Sequence, residues 1–191
     1  MPSEIKLPSK EEIDRAINKR EYKRRLGKTL KRTISVVAVI AALSLLISFF
    51  VVPVFEISSD SMSPNLNDGD YIAVLKNAEL QRGDIVVFNV NSKILIRRVV
   101  AKGGDVIDFD EVGHVIVNGE NLNEPYLETV AVGNVNIELP YTVPSGRLFV
   151  LSDNRMISSD SRNSAVGCLA EEQVIGKPFL RIWPLADFGT L

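Results

Sequence analysis

Residues 33–55, TISVVAVIAALSLLISFFVVPVF, run without a single charged side chain. As a helix such a stretch rises about 30 Å or slightly more, which matches the hydrocarbon core of a bilayer. A cleaved signal peptide has a shorter apolar region, roughly 7 to 15 residues, followed by a small-x-small site. Here the run is longer, and VFEISS supplies no good site. A buried core helix rarely continues this far with nothing more polar than serine. The stretch therefore predicts a transmembrane anchor over residues 33–54.

Charge divides the chain at this anchor. Residues 1–32 carry 11 Lys/Arg against 5 Asp/Glu, and residues 56–191 carry 11 against 19, so the net charge of -2 hides two differently charged parts. The segment KREYKRRLGKTLKR (19–32) lies directly before the span. The positive-inside bias holds that end in the cytoplasm and leaves the acidic part outside. Basic residues so placed also touch anionic lipid head groups, and no nucleic-acid partner is expected. Ser9 and Glu12 are spaced as a capping box, and Ile13, Ile17 and Tyr22 form a thin apolar stripe, which predicts a mostly solvated helix before the anchor. Pro53 lacks an amide donor and should end or kink the span. The single Cys168 excludes an internal disulfide framework and any multi-cysteine metal site; it reads as a small packing residue.

With 191 residues, 46% of them apolar, the chain has room for one soluble domain of ordinary size beside the anchor. Its pattern there is that of strands. YIAVLK (71–76), DIVVFNV (84–90), KILIRRVVA (93–101), HVIVN (114–118) and RLFVL (147–151) are short, rich in β-branched residues and separated by NDGD, RGD, GGD, NGE and PSG. The pair 84–90 and 93–101, joined through Asn91-Ser92, reads as a hairpin. No later segment shows a helix long enough to support a parallel α/β sheet, so the fold class is all-β, antiparallel, with one N-terminal transmembrane helix. The expected organisation is a basic, helical cytoplasmic segment (1–32), the anchor (33–54) and an extracytoplasmic β domain (55–191).

The stretch SSDSMSPNL (58–66) places Ser61 in a loop before the first of these strands. A serine hydroxyl is a poor nucleophile until a base takes its proton. His114, the one histidine, sits in an apparent surface turn with no evident relation to Ser61. The segment SDNRMISSDSR (152–162) crowds Asp, Asn, Arg and Ser into a bending loop suited to charge-assisted pairs. RGD (82–84) reads as a turn into a strand rather than an adhesion motif.

Taken together and in order, SDSMSPNL (59–66), RGDIVVF (82–88), RRVVAKGGD (97–105), VNGENLNEPYL (117–127), SDNRMISSDSR (152–162) and FLRIWPLADFG (179–189) resemble the boxes of the type I signal peptidases. These are membrane-bound serine proteases that remove signal peptides from exported proteins. The small size and single span are similar to the form common in Gram-positive bacteria. The resemblance implies Ser61 as nucleophile, with the Ser59 hydroxyl in the oxyanion hole. It implies that Ser158 orients the base, and that Asp153, Arg155, Asp160 and Arg162 form a charged framework. Ser152 stands where the family usually has glycine. The implied substrates are preproteins with small residues at the first and third positions before the cut, bound in extended form. Neither cofactor nor metal is implied, and the implied location is the plasma membrane, single-pass.

The family's base is a lysine followed by arginine and valine. This chain reads Arg97-Arg98-Val99, so Arg97 holds the lysine position. A buried lysine brought from about 10.4 to about 7.5 costs roughly 4 kcal/mol, which desolvation can supply. A guanidinium holds its proton above pH 12, and its fork keeps the charge even when buried. Lys93 lies on the same strand face but about 13 Å back along an extended chain, and Lys102 has the opposite parity. The expectation is a signal-peptidase-like serine endopeptidase whose activity is reduced or absent. Its rivals are a non-catalytic paralogue that binds signal peptides or assists assembly, and a self-cleaving repressor, which the span and the lack of a DNA-binding helical module disfavour.

Overall fold

The computed structural model describes residues 10–157 and 159–191. The chain falls into two units, a helical one ending at Val51 and a β unit spanning Val52–Leu191. The helical unit is one uninterrupted helix, α1 (Lys10–Val51, 42 residues). The solvated helix and the apolar helix anticipated from sequence are thus a single element. Nothing between residues 10 and 51 breaks it: there is no proline, and only Gly27, which costs about 1 kcal/mol relative to alanine. The Thr33 hydroxyl donates back to the Thr29 carbonyl (3.1 Å), as helical threonines commonly do. Tyr22–Leu46 is long and apolar enough to cross a membrane, with a mean hydropathy of 1.7. The helix stops two residues before Pro53, as that residue's geometry requires. Ser9, and with it the expected capping box, lies outside the described residues.

The β unit contains β1 (Val54–Glu56), β2 (Tyr71–Leu75), β3 (Ile85–Val90), β4 (Lys93–Lys102), β5 (Val106–Phe109), β6 (Val115–Val117), β7 (Glu120–Asn121), β8 (Tyr141–Thr142), β9 (Arg147–Leu151), β10 (Leu169–Ala170), β11 (Val174–Trp183) and β12 (Gly189–Thr190). Among the described residues these form an eight-stranded sheet in the order β1-β2-β11-β3-β4-β9-β10, with β12 beside β11, and a four-stranded sheet in the order β7-β6-β5-β8. Every pairing is antiparallel. The hairpin through Asn91-Ser92 is present. Both turn residues have positive φ, 50° and 63°, the backbone of a two-residue turn whose twist matches the flanking strands. That turn fixes the β3–β4 register, and Arg97 falls opposite Val86.

β11 was not legible as a strand. Pro178 interrupts its apolar run, and the ladder to β2 shifts register between Pro178 and Leu180, where a bulge accommodates the missing amide. Gly176 in the same strand sits so close to β2 that a Cβ there would meet the Leu75 carbonyl oxygen at 2.4 Å.

Three apolar clusters hold the unit together. Val100, Ile107, Phe149 and Cys168 pack between the two sheets' strands, so the cysteine is a buried packing residue. Val86, Phe88, Val99 and Val150 form the second. The third matters most for chemistry: Ile57, Met62, Leu66, Ile72, Val74, Val87 and Ile96 bury the underside of the 58–66 loop. Met62 and Leu66 are wholly buried, each contributing about 1.5–3 kcal/mol, and they pin the loop to the sheet from both sides of Pro64.

Candidate active site

Ser61 lies in a single 3-10 turn, Asp60–Met62. With Met62 plunged into the core beneath, the neighbouring Ser61 side chain faces β4. The loop after β9 holds this turn from outside. The Asn154 amide donates to the Ser61 carbonyl at 3.0 Å, and the Asn154 side chain to the Asp60 carbonyl at 3.3 Å.

Three of the residues singled out from sequence meet here. Arg97 Nη1 donates to Ser61 Oγ at 2.7 Å, and Ser59 Oγ lies 2.9 Å from Ser61 Oγ. The rest of the guanidinium is fixed by backbone carbonyls: Nε donates to Ser159 (2.9 Å) and Nη1 also to Ile96. Arg97 is 3% exposed and Ser61 2%. Burial pulls the Arg97 pKa down to about 10; Asp160 works against that shift, Arg162 with it, and Asp153 against it. Even so, only about one molecule in a thousand is neutral there at pH 7. Among the described residues Arg97 takes part in no ion pair, because the two carboxylates that act on it are committed elsewhere, Asp160 to Arg162 and Asp153 to Arg98. A cation buried without its own carboxylate is an expensive arrangement.

None of the other candidate bases engages Ser61. Lys102 donates its ammonium to the Leu80 carbonyl. Lys93 begins β4 at an exposed position opposite Val90. His114 lies in the small sheet's loop, where its Nδ1 is 2.7 Å from Asp110 Oδ2.

The charged residues of the 152–162 loop find partners both within the loop and outside it. Asp160 and Arg162, both fully buried, pair with each other. Asp153 receives Arg98 Nε at 2.8 Å and Asn65 Nδ2 at 2.9 Å, while Arg155 reaches out to Glu124. Arg98 stacks over the Tyr126 ring at 4.1 Å, and the Tyr126 hydroxyl donates to Glu124 at 2.7 Å. Burial, reinforced by Glu124, pushes the Tyr126 phenol far above its usual range. Glu124, Tyr126 and Asn65 escaped the sequence reading as individual partners. The NEPYL run carries two of them, but no spacing rule links it to Arg155, 31 positions further on. Ser158 lies outside the described residues.

Ser152 has an ordinary backbone, not the left-handed one that would require glycine. Its amide donates to Asp160 (3.0 Å) and its carbonyl accepts from Arg155 (2.9 Å). Its hydroxyl is buried without a hydrogen-bond partner among the described residues. Ser152→Ala should therefore stabilise the protein by about 1 kcal/mol, raising Tm by about 2–4 °C. A thermal melt followed by circular dichroism in detergent tests this, and a lower Tm would refute it.

Beside Ser61 runs a cleft of about 360 Å³, lined by Phe55, Ile57, Ser59, Ser61, Leu95 and Arg97 among others. One side is formed by residues of the 55–62 segment before β2 and the other by residues 94–97 of β4.

Residues 30–183 match the model of the family described as signal peptidase, peptidase S26. Signal peptidase IB of Staphylococcus aureus (strain Mu50) is 32% identical over 183 residues, covering 85% of this chain and 94% of the relative. Signal peptidase I of Bacillus amyloliquefaciens is 34% identical over 164 residues, covering 79% and 84%. A signal peptidase I from Enterococcus faecalis V583, solved by crystallography, matches with a TM-score of 0.43 and 26% identity over 52% of this chain and 97% of that one. With the match spanning the strands, the Ser61 turn and the charged loop, this chain belongs to the signal peptidase family, peptidase S26.

Proposed function

We propose that the chain is held in the plasma membrane by α1, with residues 1–32 cytoplasmic and the β unit outside, and that its cleft receives signal peptides of exported preproteins while cleaving them only very slowly. The basic residues flanking the apolar run support the orientation. Membership of the signal peptidase family supports signal peptides as the ligands, with the small residues at the first and third positions before the scissile bond that the resemblance implies.

One observation carries the reading on turnover: Arg97 donates to Ser61 Oγ at 2.7 Å. Acyl transfer needs Ser61 to lose its proton as it attacks the peptide carbonyl. The group within reach is a permanent donor, so the hydroxyl receives a hydrogen bond where it should surrender a proton. Ser59 can offer its hydroxyl to a developing oxyanion, but that help is of little use to a nucleophile that is never activated. The chain is thus a protease framework with its base replaced, and binding is the property it retains.

Full-length protein in proteoliposomes, mixed at pH 7 with a preprotein carrying a photo-crosslinker in its signal peptide, should give a crosslinked complex and almost no mature product. Ser61→Ala should leave crosslinking within about twofold. Rapid release of mature protein by the unaltered chain would overturn the proposal, as would a complete absence of crosslinking.

A further inference from the structure

We infer that the cleft is a receptor for peptides that already end in a free α-carboxylate at the position beside Ser61, the chemistry of a signal peptide after another protease has released it. The inference rests on the signal-peptide reading above and adds which form of that peptide is preferred. Arg97 is a buried cation at the cleft wall with no ion pair among the described residues. Asp153 and Asp160, the carboxylates near enough to act on it, are each bound to another arginine.

The Ser61 and Ser59 hydroxyls sit next to the Arg97 guanidinium, 2.7 Å from Nη1 to Ser61 Oγ and 2.9 Å on to Ser59 Oγ. A positive charge and two hydroxyls follow one another along residues that line the cleft; an incoming carboxylate that takes over hydrogen bonds now made within this row gains charge-assisted ones. In an intact preprotein the group reaching this row is a neutral peptide carbonyl. After cleavage it is a carboxylate, with a full negative charge to offset the guanidinium. A lysine that must be neutral to act as a base would offer no such charge, so the same substitution that removes the base creates the anion site.

Three measurements by fluorescence anisotropy on the full-length protein in detergent test this. A signal-peptide segment ending in Ala-x-Ala with a free carboxylate should bind at least tenfold more tightly than the identical peptide ending in a carboxamide. In Arg97→Met the acid and amide should bind within about twofold of each other. Equal binding of acid and amide to the unaltered protein overturns the inference while leaving the signal-peptide reading standing. A preference for the acid that survives in Arg97→Met also overturns it, by placing the anion site elsewhere. If neither peptide binds, the signal-peptide reading falls and this inference with it.

Discussion

Arg97→Lys raises kcat/KM for preprotein cleavage by about 10²–10⁴-fold, the range over which a positioned general base accelerates proton transfer. The nucleophile's setting is in place: the serine is pinned by Met62 below and Asn154 above, and Ser59 is within hydrogen-bond distance. A lysine nitrogen falls one bond short of the present Nη1, a gap that ordinary rotamer adjustment closes. The burial that draws Arg97 down to about 10 acts on lysine as well, lowering its midpoint from the usual lysine range toward neutrality. The active species is the neutral amine, so the rate of the variant rises with pH through that midpoint and levels above it. The unaltered protein should stay near background across the same range. Ser61→Ala added to Arg97→Lys should abolish the gain. A variant no faster than its parent would mean that the missing base is not what limits this chain.

Asp160→Asn should cost about 3–5 kcal/mol of stability, the usual penalty for stripping one partner from a buried ion pair. Arg162 spends its whole fork on this neighbourhood: Nε and Nη2 on Asp160 (2.9 and 2.6 Å), Nη1 on the Val132 and Arg155 carbonyls, Nη2 also on Ile157. Asparagine keeps the shape but removes the charge and one acceptor, leaving a fully buried guanidinium uncompensated. Asp160 is also the foremost charge sustaining Arg97 against burial, so the effect extends to the cleft. Denaturant titration of the full chain in detergent should show the midpoint falling at unchanged m-value. A loss below about 1 kcal/mol would show that the loop is held mainly by its backbone contacts.

The parts of the fold legible in sequence were those whose local chemistry was unambiguous. An uncharged apolar run reads as a long helix, and RLFVL between PSG and a polar loop reads as β9, whose observed limits are Arg147–Leu151. Where local signals conflicted, the sequence misled or fell silent. β11 carries a glycine and a proline that argue against a strand, and only its pairing with both β2 and β3 rescues it. The tiny strands β7, β8, β10 and β12 have two residues each, too few for any periodicity. At the site, Ser61, Ser59 and Arg97 could be named because the motif spacing resembles a known family. Their distances could not, since they depend on how β4 pairs with β3 and how the 152–162 loop returns. The Glu124–Arg155 and Arg98–Tyr126 contacts are long-range and of ordinary residue types, which no short window reveals.

The placement of β11 has a bearing on how such a molecule comes into being. The strand is made of residues 174–183 yet lies between strands formed by residues 71–75 and 85–90. Until the ribosome has delivered those late residues, both of its future neighbours present naked backbone amides and carbonyls, a template for illegitimate pairing. Synthesis interrupted before that point leaves a sticky, protease-sensitive nascent polypeptide rather than a smaller working version of the same protein.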